Sequence, residues 1–100
     1  MVQRRTGAST TMPKITIYTS MMCPYCHLAK ELLRSKGVSY DEIDVTGRRE
    51  LRAEMTRLAG GRTSVPQIFI GDHHVGGYTD LVALDRAGGL APLLGQTAGS

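Results

Sequence analysis

The motif Cys23-Pro-Tyr-Cys26 constrains this chain more than any other stretch, because of what stands on either side of it. Upstream, Lys14-Ile-Thr-Ile-Tyr-Thr19 alternates, with Ile15 and Ile17 on one face, which predicts a short strand. Downstream, Pro24 to Lys36 carries Leu28, Ala29, Leu32 and Leu33 at helical spacing. Proline suits the first position of a helix, where its missing N–H is no loss, so Cys23 falls at the N-cap. The free N–H groups of the first turn then point at the Cys23 sulfur, and with the helix dipole they favour its thiolate. Cys26 follows in the same turn, within reach of a disulfide with Cys23. This is a dithiol built to react.

Composition narrows the remaining choices. One hundred residues make one domain with a modest core. No apolar run approaches the length of a membrane span, and no signal peptide precedes the first strand, so no membrane contact is expected. The net charge of +3 comes from scattered Arg and Lys, without the basic stripe interleaved with aromatics that would point to nucleic acid. Both cysteines are spent on one motif. A structural disulfide across so short a loop would constrain the unfolded chain by only about 2 kcal/mol, against about 3 for a fifteen-residue loop. The pair therefore reads as catalytic and the protein as cytoplasmic, with a monomer as the expected state.

Residues 1–12 are rich in Ser and Thr, carry Arg4 and Arg5, and show no periodicity, so a disordered tail is expected there. The folded domain is expected over 13–95, with a small polar tail over 96–100. Gly37 stops the first helix. Val38 to Val45 reads as a second strand, and strand–helix–strand implies a right-handed unit with parallel strands. Thr46 is placed to cap a second helix with Leu51, Met55 and Leu58 facing inward, Arg48, Arg49, Arg52 and Arg57 on its solvated face, and Gly60-Gly61 at its end. Gln67 to Ile70 and His73 to Gly76 read as a hairpin about Gly71-Asp72. His73 and His74 point to opposite faces of their strand, so they do not share a metal ion. Thr79 is placed to cap a third helix with Leu81 and Leu84 inward, and Leu90 to Leu94 forms a last turn. The sum is an α/β domain: a four-stranded mixed sheet with helices on both faces.

On such a sheet, C-x-x-C at the first strand–helix junction reads as thioredoxin-like. Cys23-Pro-Tyr-Cys26, Thr63-Ser-Val-Pro-Gln-Ile-Phe-Ile70, Val75-Gly-Gly-Tyr-Thr-Asp-Leu81 and Leu84-Asp-Arg-Ala-Gly-Gly-Leu90 together resemble the glutaredoxins, in their small bacterial dithiol class. The resemblance implies a thioredoxin fold, glutathione as co-substrate and no resident metal. It also implies reduction of glutathione mixed disulfides and protein disulfides, with Cys23 as nucleophile and Cys26 as resolving thiol. Pro66 resembles the family's cis-proline, which would turn the Val65 backbone toward the cysteinyl unit of glutathione in a one-residue β-augmentation. The N–H groups of Thr79 and Asp80 at a helix start suit the γ-glutamyl carboxylate, and the Asp80 carboxylate its ammonium. Tyr25, Ser64, Gly77 and Tyr78 would border the ligand, with Arg52 or Arg62 meeting the glycyl carboxylate. His27 and Lys30 are assigned to the exposed side of the first helix.

Three departures bear on affinity. Ser20 stands where the family commonly has a lysine for the glycyl carboxylate, Tyr78 where it often has cysteine, and the loop before Thr63 is longer. They imply weaker glutathione binding with unchanged chemistry. A rival reading comes from Met21-Met22-Cys23-Pro24-Tyr25-Cys26, which satisfies the M-x-C-x-x-C pattern of copper(I) carriers; an iron–sulfur cluster bridged through Cys23 is a variant of it. Pro24, Val65-Pro66 and Gly-Gly-x-x-Asp have no role in a copper carrier.

Overall fold

Alternation along the first strand decides the layering. In the computed structural model, which describes residues 13–95, β1 is Ile15–Thr19. The expected tails over 1–12 and 96–100 lie outside the described residues. Ile15 and Ile17 enter one core cluster with Ala29, Leu33, Ile68, Ile70, Leu81 and Leu90. Tyr18 enters a second cluster, on the other face, with Val45, Met55, Leu51, Val65 and Phe69. Side chains alternate across a strand, so one strand serves both layers.

The elements follow as α1 Pro24–Ser35, β2 Asp41–Asp44, α2 Arg49–Leu58, β3 Gln67–Ile70, β4 His73–Gly76, α3 Tyr78–Arg86 and the short α4 Leu90–Leu93. The sheet order is β2-β1-β3-β4, with β2 parallel to β1, and β3 antiparallel to both β1 and β4. α1, α3 and α4 supply the first cluster and α2 the second, so helices cover both faces.

Several local expectations are corrected. β2 pairs only from Thr16↔Asp41 to Thr19↔Asp44, not from Val38, because β1 is too short to extend the ladder. Val38 and Tyr40 pack on the core before the strand begins. On α1 the buried stripe is Cys26, Ala29 and Leu33, while Leu28 is 42% exposed. At 3.6 residues per turn Leu28 lies about 130° round from the centre of that stripe. On α2 the inward line is Leu51, Met55 and Ala59, and Leu58 instead borders an open groove with Thr16, Phe69 and His74.

Neither expected threonine cap forms. Thr46 uses its hydroxyl to accept the Met21 N–H at 2.6 Å, and α2 starts after Arg48 with no side-chain cap. α3 starts two residues earlier than a Thr79 cap would allow. Gly77 is its N-cap, and the Asp80 carboxylate reaches back to accept the Gly77 N–H at 2.9 Å.

Candidate active site

Cys23 is the N-cap of α1 in extended conformation, with Pro24 at the first helical position. Its sulfur accepts the Cys26 N–H at 3.1 Å, the cap hydrogen bond expected from the sequence. As a thiol it donates to the Val65 carbonyl at 3.8 Å, which joins the α1 start to the loop before β3. Cys23 is half-buried, whereas Cys26 is 2% exposed and belongs to the helix's apolar stripe. Burial pushes the Cys26 thiol up to about 12, and the Cys23 sulfur beside it adds to the effect. A backbone hydrogen bond at Ser20 and the Lys30 ammonium offset part of it. The two thiols are thus unlike: one at the surface with an N–H aimed at it, one buried and held protonated.

Lys30 is not on the exposed side of α1 as expected. It lies about 70° from the centre of the buried stripe, so its stem runs along the helix flank. There its ammonium pairs with Glu42 at 3.0 Å. The Thr19 hydroxyl donates to the same carboxylate oxygen at 2.7 Å. Burial pushes the Glu42 carboxyl up, but these bonds outweigh it and hold the group below its ordinary value. His27 does remain exposed, paired with Glu31 one turn on.

The second wall is the loop 62–66. Val65–Pro66 is a cis peptide, and Pro66 is buried beside Gly77. Gln67 braces this loop, a role not anticipated from the sequence. It is fully buried, donates to the Ser64 carbonyl at 3.0 Å, and its amide oxygen meets His74 Nε2 at 2.7 Å. His74 is correspondingly half-buried on the edge strand β4 and stacked on Phe69. Burial, then the nearby Arg62, holds the His74 ring below its ordinary value. A polar residue heading an otherwise apolar strand was the available signal for Gln67.

The third wall is the start of α3. Arg62 pairs with Asp80 at 3.1 Å, and the Gly77 N–H, followed by Arg62, holds the Asp80 carboxyl below its ordinary value. Gly76 has φ 114°, and a Cβ there would collide with the Asp80 carboxylate and the Arg62 guanidinium. Tyr78 stacks on Tyr25 with ring centroids 6.0 Å apart, linking the α3 start to the α1 start. Arg52 donates to the Thr63 carbonyl at 2.8 Å and so braces the loop from the α2 side.

Cys23 and Val65 are therefore in contact, Pro66 adjoins Gly77, and Tyr25 meets Tyr78. Thr79 and Asp80 occupy the second and third positions of α3. Ser64 is exposed at the loop edge, and Ser20 is half-buried on the opposite side of Cys23. Helix start, extended loop and second helix start meet beside the Cys23 sulfur, and such N-termini with an extended backbone suit a short peptide with an anionic end.

Comparison with known proteins agrees with this chemistry. A family model described as glutaredoxin matches residues 15–75. The chain is 58% identical over 83 residues to a glutaredoxin of Pseudomonas aeruginosa, covering 83% of this chain and 98% of that one. It is 55% identical over 83 residues to glutaredoxin 3 of Escherichia coli K12, covering 83% and 99%. The solution structure of a glutaredoxin from Brucella melitensis superposes with a TM-score of 0.75 at 51% identity, covering 84% of this chain and 90% of that one. The crystal structure of a buckwheat glutaredoxin–glutathione complex does so at 0.74 and 27% identity, covering 82% and 76%. The sheet and its helices are those of a thioredoxin fold. These relatives favour dithiol exchange over a copper(I) or iron–sulfur module.

Proposed function

The chain belongs to the glutaredoxin family, and from that premise we propose that Cys23 is the nucleophile and Cys26 the resolving thiol of its glutathione-dependent thiol–disulfide exchange. The observation that carries the division of labour is the cap itself. The Cys23 sulfur takes the N–H of Cys26 at 3.1 Å, while burial keeps the Cys26 thiol protonated.

Cys23 thiolate attacks the glutathionyl sulfur of a mixed disulfide; that S–S bond breaks, and the protein thiolate leaves and takes up a proton. A second glutathione thiolate attacks the Cys23 mixed disulfide, forming oxidised glutathione and restoring Cys23. With a protein disulfide, Cys26 instead attacks the Cys23 sulfur of the mixed disulfide. The substrate leaves as a dithiol, two electrons richer, and Cys23–Cys26 becomes the disulfide.

Glutathione would lie with its cysteinyl backbone on Val65 beside Pro66, between Tyr25 and Ser64 on one side and Gly77 and Tyr78 on the other. Its γ-glutamyl end suits the Thr79 and Asp80 N–H groups, and its ammonium the Asp80 carboxylate. Arg62, now paired with Asp80, and Arg52, now on the Thr63 carbonyl, are the cations for its carboxylates. That a buckwheat relative was solved as a glutaredoxin–glutathione complex supports glutathione as the ligand. We further infer that residues 13–95 form the whole catalytic domain, that it acts as a monomer in the cytoplasm, and that its partners are glutathionylated and disulfide-containing proteins. No helix among the described residues is long and apolar enough to cross a membrane. The reading needs no metal.

The test is a pair of variants on two substrates. Cys23→Ser is expected to abolish turnover of both a glutathionylated protein and a protein disulfide. Cys26→Ser is expected to keep the first and lose the second. Equal loss in both variants on the glutathionylated substrate sinks the assignment.

A further inference from the structure

Gln67 is a buried amide at the head of an otherwise apolar strand, just past the loop that meets the nucleophile. It is wholly out of solvent, so each end of its amide needs a partner. The amide nitrogen lies 3.0 Å from the Ser64 carbonyl oxygen and 3.4 Å from the Ser64 hydroxyl. A carbonyl can only accept, so the nitrogen must face it and the amide oxygen must face the other way. That oxygen lies 2.7 Å from His74 Nε2. An amide oxygen also only accepts, so Nε2 carries the proton and the neutral ring is the Nε2–H tautomer. The direction of the whole chain is thus fixed from its Ser64 end.

His74 is held to this bond by its surroundings. The register of β3 with β4 shifts between Ile68 and Phe69, and an irregularity of this kind re-aims the side chains beside it. The imidazole stacks on Phe69 with ring centroids 4.8 Å apart. Burial, then Arg62 and, more weakly, His73 favour the uncharged ring, against the pull of Asp80.

The other end of the chain is a peptide bond. The Ser64 carbonyl and the Val65 N–H belong to one planar unit. A hydrogen bond accepted by that oxygen ties down the plane, and with it the direction of the N–H. It also leaves the N–H a stronger donor, since chained hydrogen bonds polarise one another. The Val65 carbonyl already takes the Cys23 thiol at 3.8 Å. The Val65 N–H meets no acceptor among the described residues, which leaves it for a ligand beside the sulfur.

We propose that His74 and Gln67 are positioning residues for glutathione. Two hydrogen bonds run from the His74 imidazole through the Gln67 amide to the Ser64 carbonyl. They set the Ser64–Val65 peptide so that the Val65 N–H binds the cysteinyl carbonyl of glutathione. Both side chains act through the backbone, without touching the tripeptide. The inference rests on the proposed placement of glutathione on Val65.

Steady-state kinetics with a glutathione mixed disulfide and NMR test it together. Gln67→Met keeps the volume and removes the amide, His74→Phe keeps the stacked ring and removes the donor, and His74→Gln restores an N–H donor. KM is expected to rise about 2- to 12-fold in Gln67→Met, the effect of one neutral hydrogen bond. It should rise by less in His74→Phe, with kcat unchanged in both and His74→Gln close to wild type. Alkylation of Cys23 by iodoacetamide, which uses no glutathione site, should keep its wild-type rate in all three. Above neutral pH, the imidazole nitrogen shifts should show His74 protonated at Nε2 and bare at Nδ1. In Cys26→Ser carrying glutathione on Cys23, the Val65 amide proton should move downfield, and less so once His74→Phe is added. Slowed alkylation alongside the raised KM makes the pair a general brace of the fold and overturns the proposal. An unchanged KM in either Gln67→Met or His74→Phe, or a His74 proton on Nδ1, overturns it as well. If glutathionylation leaves the Val65 amide proton unmoved, the placement on Val65 fails and the positioning role falls with it. If that proton moves equally with and without His74, the positioning role alone fails.

Discussion

The resolving step should be slow near neutral pH and should accelerate steeply with base. The Cys26 thiol is 2% exposed and pushed up to about 12 from an ordinary 9.0. Such a rise cuts the thiolate fraction near pH 7 about 1000-fold. The more basic thiolate attacks faster, by about 16- to 32-fold for a Brønsted slope of about 0.4–0.5 over that interval. The balance leaves Cys26 about 30- to 60-fold slower than an ordinary thiol in the same place. That figure is an upper bound for the mixed disulfide. There the Cys23 sulfur no longer adds to the shift, and burial alone remains. The perturbation is a pH jump on protein carrying a preformed Cys23–glutathione disulfide, with Cys23–Cys26 closure followed by acid quench and mass. Log rate should rise by about one per pH unit up to pH 9 without levelling. Lys30→Met removes an ammonium that lowers Cys26, so closure should slow further at every pH. A plateau below about pH 8, or faster closure in Lys30→Met, would mean the thiol is not held protonated by burial, and the argument would fail.

The same thiol shapes alkaline stability. Its pKa is raised on folding, so its contribution is fully present below about pH 9 and is lost as pH rises toward 12. Reduced protein should therefore show a falling Tm across that window, with the slope diminished in Cys26→Ala. Gly76→Ala forces a Cβ into the Asp80 carboxylate at φ 114°. It should cost about 1–3 kcal/mol by calorimetry, with KM for glutathionylated substrate raised; an unchanged Tm would refute the close approach. Ser20→Lys restores a partly exposed ion pair of about 0.2–1 kcal/mol. It should lower that KM about 1.5- to 5-fold at low ionic strength, with salt erasing part of the gain. No change would mean that Arg52 or Arg62 already holds the glycyl carboxylate.

Short-range rules made much of this protein legible from its residues. Pro24 at a helix start, alternation at Ile15 and Ile17, and glycines past helix ends all act within a few residues, so the N-cap cysteine and the strand–helix order followed from them. What escaped was set by neighbours distant in sequence. Thr46 looked like a cap and became the anchor for Met21, because β2 delivers it to the loop before α1. Thr79 lost its capping place to Gly77, whose N–H the Asp80 carboxylate accepts while it is also paired with Arg62. Lys30 read as solvated, since helical periodicity does not say that Glu42 will arrive beside it on a parallel strand. Gln67 and His74 read as strand residues of no special role, and only the hairpin register brings the imidazole to the buried amide. Local propensity chooses the elements, since it depends on each residue's own backbone and its near neighbours. The partners of polar side chains depend on which elements the apolar core brings together, and that is decided only when the whole sheet has formed.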